Sequence, residues 1–215
     1  MGIEGGMDAG TVPELFTGDL DEDFVGHVFG ESRVAWDIET TGLDPRCESI
    51  GTCQIATSER VGIVRIVGNG APDRLLGILG SPDVCKVFHH APFDLRFMIH
   101  HWGATPARIG CTKVLAKILE PGLGPGMYSL QSLLARYLGV SIDKGQRRSD
   151  WLASELSREQ VEYATGDVLH LLPLFDLLFE GCVEAGLADL AHGSLSYLPA
   201  RAVLDLRECG DVFSY

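Results

Sequence analysis

Three short apolar runs constrain the fold of this chain more than any other feature. They are RVAWDI at residues 33–38, GTCQIAT at 51–57 and RVGIVRIV at 60–67. Each is rich in β-branched or aromatic residues and bounded by Gly and polar residues, so each reads as a strand. The close spacing favours an antiparallel meander over helical crossovers, because parallel neighbours need a longer connection.

The rest of the chain mixes helix and strand signals. PDRLLGILG at 72–80 reads as a helix and VCKVFHH at 84–90 as a fourth strand. PFDLRFMIHHWG at 92–103 is a predicted helix ending at Gly103, with His100 and His101 as C-terminal caps. CTKVLAKIL at 111–119 is another, stopped by EPGLGPG. In YSLQSLLARYLGV, residues Leu130, Leu133, Leu134, Tyr137 and Leu138 recur at helical spacing. A loop, SIDKGQRRSDW, comes next. Ser157 and Gln160 then form a capping-box pattern at the head of one long predicted helix, which Pro173 should kink or interrupt. Residues 187–215 show no clear period and are expected to pack on the domain or on a neighbouring subunit. A mixed α/β fold in one domain fits 215 residues. The Gly-rich start, residues 1–12, reads as a flexible tail.

The formal net charge of −13 counts against a binder of long nucleic acid, since such affinity comes from neutralising phosphates. Basic residues cluster once, in DKGQRR at 143–148, as a solvated loop or a phosphate grip. The six cysteines are scattered without a C-x-x-C pair, which argues against a paired zinc site and for buried, reduced thiols in a cytoplasmic protein. No apolar run reaches the length of a membrane span, and no secretory signal opens the chain.

Within the first run, Asp37 and Glu39 are two residues apart, so both side chains leave the same face of the strand. Burial and a neighbouring carboxylate both raise a carboxyl pKa. Three arrangements resolve the conflict: both acids in water at a strand end, one holding a proton, or a cation between them. Asp94 lies where a strand-like run meets a helix, a place where an acid can simply offset the helix dipole. Tyr163 and Asp167 are four apart, hence neighbours on one helix face, as a functional pair or an exposed hydrogen-bonded one.

In this order the acidic positions resemble the DEDD superfamily of 3′–5′ exonucleases, in its Tyr-containing branch. The blocks WDIETTGLDP, CQIAT, FHHAPFDLRFM and LGVSIDKGQRRSDWLASELSREQVEYATGDVLHLLPLFDLL are similar to motifs of the ribonuclease D family, across residues 15–184. The resemblance implies a ribonuclease H-like 3′–5′ exonuclease fold, a mixed sheet flanked by helices, over residues 13–186. It implies a 3′–5′ exonuclease that releases nucleoside 5′-monophosphates from short single-stranded RNA or DNA. It also implies two divalent cations, Mg²⁺ or Mn²⁺, because such ions can clamp an anionic phosphodiester between attacking and leaving oxygens. Hard cations of this kind take carboxylate oxygens.

By the same resemblance, Asp37, Glu39 and Asp167 hold one ion, and Asp37 bridges to a second that Asp94 supports. Tyr163 orients the attacking water. Thr40, Gly42 and Leu43 match the stretch that meets the terminal nucleotide, with Leu43 as a wedge against its base and Thr40 bonded to sugar or phosphate. His90, Lys144, Gln146 and Arg147 are carried with them as substrate contacts. Gln54 is expected as a buried amide and Trp151 as a core anchor. A short form such as this one is compatible with a homo-oligomer. The rival readings are a binding module of the same fold with little turnover, and a DNA repair exonuclease.

Overall fold

The computed structural model describes residues 11–68, 70–142, 145–146 and 149–215. Most of the tail expected over residues 1–12 falls outside them, as do Lys144 and Arg147. In chain order the elements are β1 (Glu14–Thr17), α1 (Glu22–Gly30), β2 (Arg33–Thr40), β3 (Ile50–Ala56), β4 (Val61–Arg65), α2 (Asp73–Gly80), β5 (Cys85–Phe88), α3 (Pro92–Trp102), β6 (Ile109–Cys111), α4 (Thr112–Leu119), α5 (Leu130–Leu138), α6 (Arg158–Leu169), α7 (Leu171–Glu184), α8 (Ala188–Ser196) and α9 (Leu198–Leu206).

The predicted meander is β2–β3–β4, antiparallel throughout. It forms the centre of a six-stranded sheet ordered β1-β4-β3-β2-β5-β6. The outer strands pair in parallel: β1 on β4, β5 on β2 and β6 on β5. The sheet is therefore mixed and flanked by helices, as expected. One contiguous core runs through it, including Trp36, Ile55, Phe88, Phe97, Leu115 and Leu178, all fully buried.

The structure departs from the sequence reading in several places. The long helix is two, α6 and α7, separated at His170, whose backbone (φ −111°, ψ 6°) leaves the helical region. Pro173 explains the break, because it has no N–H for the Leu169 carbonyl and its ring crowds that oxygen. The segment read as one helix from Cys111 starts with the short edge strand β6. Residues 187–215 contain α8, which packs on α4, α7 and β6, and α9, which packs on α3. Cys53, Cys111 and Cys182 are buried free thiols, but Cys47 and Cys209 are exposed. Among the described residues no helix is long and apolar enough to cross a membrane.

Candidate active site

The pleat of β2 sends Asp37 and Glu39 to one face, opposite Gln54 and Thr52 of β3. The register shifts after Glu39, where Thr40 pairs with Ile50 and Gly51 is passed over. This bulge bends the strand at the site, a common use of an extra residue. Gly51 has a second reason to lack a side chain: a Cβ there would lie 2.4 Å from the Trp151 carbonyl oxygen. That contact presses the segment before α6 onto the sheet. Trp151 is a core residue, 1% exposed, with its ring 6.0 Å from that of Tyr163. Gln160 secures the start of α6 by closing the capping box with Ser157 and donating to the Asp150 carbonyl at 2.9 Å.

Parallel pairing of β5 with β2 brings the third acid into place. The chain leaves β5 beside Asp37 and turns into α3, whose first turn holds Asp94, 2% exposed. The Ile38 backbone N–H donates to the carboxylates of both Asp37 and Asp94. From above, α6 contributes Asp167, and Asp37, Glu39 and Asp167 each place a carboxylate oxygen within 4.8 Å of the others. Tyr163, one turn earlier, donates its hydroxyl to Asp167.

Burial is the main reason that Asp37 stands well above the ordinary carboxylate range, followed by the charges of Asp94, Asp167 and Glu39. Asp94 is raised too, by burial and Asp167, although backbone N–H donors partly offset this. The Tyr163 phenol is pushed well above its usual value, by burial and then by the three acids nearest it. It stays protonated at any physiological pH. An all-oxygen, strongly anionic cluster of this kind fits a hard divalent cation, whose charge removes the repulsion.

A consequence for the metal-free protein can be measured. Carboxyls whose native pKa is raised bind more protons folded than unfolded, so stability is lost as pH climbs above the unfolded value of about 3.9 towards the native one. In EDTA this contribution should lower the melting temperature as pH rises above about 4, and Asp37→Asn should lessen that fall. Parallel profiles for the two proteins would show that the acids do not oppose one another.

The remaining predicted residues are placed unevenly. Leu43 is 74% exposed at the tip of the loop after β2. The Thr40 hydroxyl donates to the Gly42 carbonyl at 2.7 Å, which leaves its oxygen as an acceptor. Gly42 lies against Glu48, where a Cβ would fall 2.6 Å from the carboxyl carbon. Gln146 lines a cavity of about 290 Å³ with Ser141, Ile142, Glu159, Glu162, Tyr163 and Gly166, so it opens beside the Tyr163 end of the site.

His90 sits at the surface just before Asp94, in left-handed backbone (φ 71°). Its imidazole is pushed down to about 4, by partial loss of solvent and by Lys113, Arg96 and Lys117. Those three cations were not singled out in the sequence. Lys113 and Lys117 are four apart on α4, and Arg96 is two residues past Asp94, so the helical spacing and the motif itself carried the signal. Both histidines lie in the last turn of α3, and His101 Nε2 bonds beyond the helix, to the Glu48 carbonyl 2.8 Å away on the loop after β2.

Comparisons with known proteins place the chain among 3′–5′ exonucleases. A family model described as 3′–5′ exonuclease matches residues 16–180. Ribonuclease D of Haemophilus influenzae is 31% identical over 148 residues, which is 69% of this chain and 36% of that protein. The chain thus spans about a third of the length of the curated relatives it matches. Brucella melitensis NrnC, solved bound to pGG, superposes with a TM-score of 0.87 at 29% identity, covering 95% of this chain and 99% of that one. Its structure with bound Mg²⁺ gives the same TM-score and identity, covering 95% and 100%.

Proposed function

The chain belongs to the ribonuclease D family of 3′–5′ exonucleases, and from that premise we propose that it removes nucleoside 5′-monophosphates one at a time from the 3′ ends of short single-stranded RNA. The observation that carries this reading is the convergence of Asp37, Glu39 and Asp167 on one point, with the Tyr163 hydroxyl bonded to Asp167. Asp37, Glu39 and Asp167 would hold one Mg²⁺ or Mn²⁺ ion, and Asp37 with Asp94 a second. Bound there, such ions offset phosphate charge and make water a nucleophile at neutral pH.

The chain's own groups then handle the substrate. With its hydrogen given to Asp167, the Tyr163 oxygen accepts a hydrogen from the attacking water and orients it toward phosphorus. The water oxygen bonds to phosphorus as the bond from phosphorus to the 3′ oxygen of the penultimate nucleotide breaks, and the proton the water gives up passes to solvent. The 3′ oxygen takes up a proton, leaving a 3′ hydroxyl on the shortened strand and a free 5′-monophosphate. Leu43 packs against the terminal base, and the Thr40 oxygen accepts from a sugar hydroxyl. Arg96, Lys113 and Lys117 draw in phosphate near His90. Gln146 adds a contact beside Tyr163, and Lys144 and Arg147 supply further charge.

In this reading residues 13–186 are the nuclease domain and 187–215 an extension. Leu190, Val203 and Phe213 of this extension are exposed apolar residues on which a second copy would dock, and the protein works in the cytoplasm. The family relatives named as ribonuclease D favour RNA. The NrnC structure with pGG, a protein matched nearly end to end, favours short strands.

Substrate length tests the proposal. A net acidic protein repels a polyanion more with each phosphate inside the screening length of about 8 Å. Turnover per 3′ end should be higher on RNA of about two to five nucleotides than on twenty-mers, and distributive on the latter, with a shallow salt slope. Processive, strongly salt-dependent decay of the twenty-mer would overturn the short-substrate assignment.

A further inference from the structure

The loop at residues 41–49 is closed on itself. Thr41 N–H donates to the Ser49 carbonyl at 3.0 Å, and Ser49 N–H to the Thr41 hydroxyl oxygen at 3.0 Å. The Thr41 hydroxyl donates to the Glu48 carboxylate at 2.5 Å, and that carboxylate rests on Gly42. Glu48 therefore fixes the stretch immediately before Leu43. Glu48 is itself held from outside the loop, by His101 Nε2 at 2.8 Å from its carbonyl oxygen. A carbonyl can only accept, so Nε2 carries the hydrogen. The His101 ring is pinned in turn, stacked on Phe97 with centroids 6.0 Å apart and planes at 25°. Phe97 is fully buried.

His101 and Asp94 are seven residues apart on α3, hence on nearly one face, about 10 Å along the axis. One rigid helix thus holds an acid of the candidate metal site at its first turn and the substrate loop at its last. A second tie, Arg46 to Glu208, joins the same loop to the turn after α9, but its side chains are 53% and 67% exposed and such pairs contribute little.

We infer that His101 is a positioning residue: by fixing Glu48 it sets where Leu43 and Thr40 stand relative to the acids, and so how well the 3′-terminal nucleotide binds. This rests on the function proposed above, because it assigns the loop to that nucleotide. The residue makes no contact with the reacting atoms. Its loss should therefore weaken ground-state and transition-state binding alike, which raises KM and spares kcat.

The test compares wild type, His101→Ala, His101→Gln, Leu43→Ala and the His101→Ala/Leu43→Ala pair, using a 5′-labelled RNA trinucleotide with Mn²⁺. Backbone amide exchange over residues 41–49 is followed in parallel in metal-free protein. His101→Ala should raise KM by about 2- to 10-fold, the scale of one hydrogen bond, with kcat within twofold. His101→Gln keeps an N–H donor at that reach and should restore KM. Losses in the double variant should be less than multiplicative, because both act through one loop. His101→Ala should also exchange faster at Thr41 and Ser49. Unchanged KM and exchange, a fall in kcat alone, failure of Gln to rescue, or independent losses with Leu43→Ala would each overturn the inference. If wild type does not cleave the RNA at all, the proposed function fails instead, and the exchange rates alone decide whether His101 holds the loop.

Discussion

Asp37→Asn should lower turnover by roughly 10²–10³-fold or more, the scale on which active sites lose rate when one electrostatic stabiliser is removed. Asp37 is the acid that the others surround: it shares the 4.8 Å cluster with Glu39 and Asp167, and it feels the charge of Asp94. A neutral amide there weakens the site for both proposed ions at once. Asp167 likewise meets three fellows, and Glu39 and Asp94 meet fewer, so the amide variants of all three should also be severe. Unfolding cannot be the reason for the loss. In the metal-free protein the substitution removes a buried like charge, so the melting point should hold or rise, at about 2–4 °C per kcal/mol for a domain of this size. Steady-state kinetics with calorimetric metal titration checks both halves. Wild-type turnover by Asp37→Asn would remove the acid cluster from the chemistry.

Tyr163→Phe should cost about 10²-fold in kcat, the usual worth of a group that positions a proton or a water. The ring remains, so its packing on Trp151 is kept and only the hydroxyl bonded to Asp167 disappears. Metal affinity should be nearly unchanged. In the metal-free protein the phenol holds its proton well above its usual range, and for an orienting hydroxyl its loss should not shift the acid limb of the pH–rate profile. If metal affinity fell in step with rate, Tyr163 would be holding Asp167 in place and not orienting water.

The parts of the molecule visible in its sequence are those with a local period or a local motif. The β2–β4 meander could be read because each strand is a run of apolar residues with a polar break on either side. Asp37 and Glu39 could be read as a same-face pair from the strand period alone, and Tyr163 with Asp167 from the helical one. Pairings between distant segments were less legible. β6 has three residues, Ile109–Cys111, and becomes a strand only because β5 supplies a parallel edge. α8 and α9 bury Ala191, Leu195, Leu198 and Ala202, a narrow stripe of small and medium residues that gives little period. The division between α6 and α7 was half legible: Pro173 announced a fault, but not that it would open three residues earlier.

The substrate side was less legible than the acids for the same reason. Thr40, Gly42 and Leu43 came from a motif match, whereas their geometry depends on Glu48 and on His101, 53 residues beyond Glu48. The cations around His90 come from α3 and α4, and no single stretch of sequence shows them as a group. The basic stretch 143–148 drew attention because its charges are adjacent in the chain, while the cations of α3 and α4 are adjacent only in space.

Cutting RNA from its 3′ end, as proposed, requires divalent ions, one held by Asp37, Glu39 and Asp167 and a second by Asp37 with Asp94. Metal removal and return tests that requirement most directly. Purified protein is stripped with EDTA and dialysed, then incubated with 5′-labelled RNA, and the products are resolved to single nucleotides. No cleavage should occur until Mn²⁺ or Mg²⁺ is added, and then a ladder should shorten one nucleotide at a time from the 3′ end. A ladder that persists in excess EDTA, or internal cuts in place of stepwise shortening, would contradict the account.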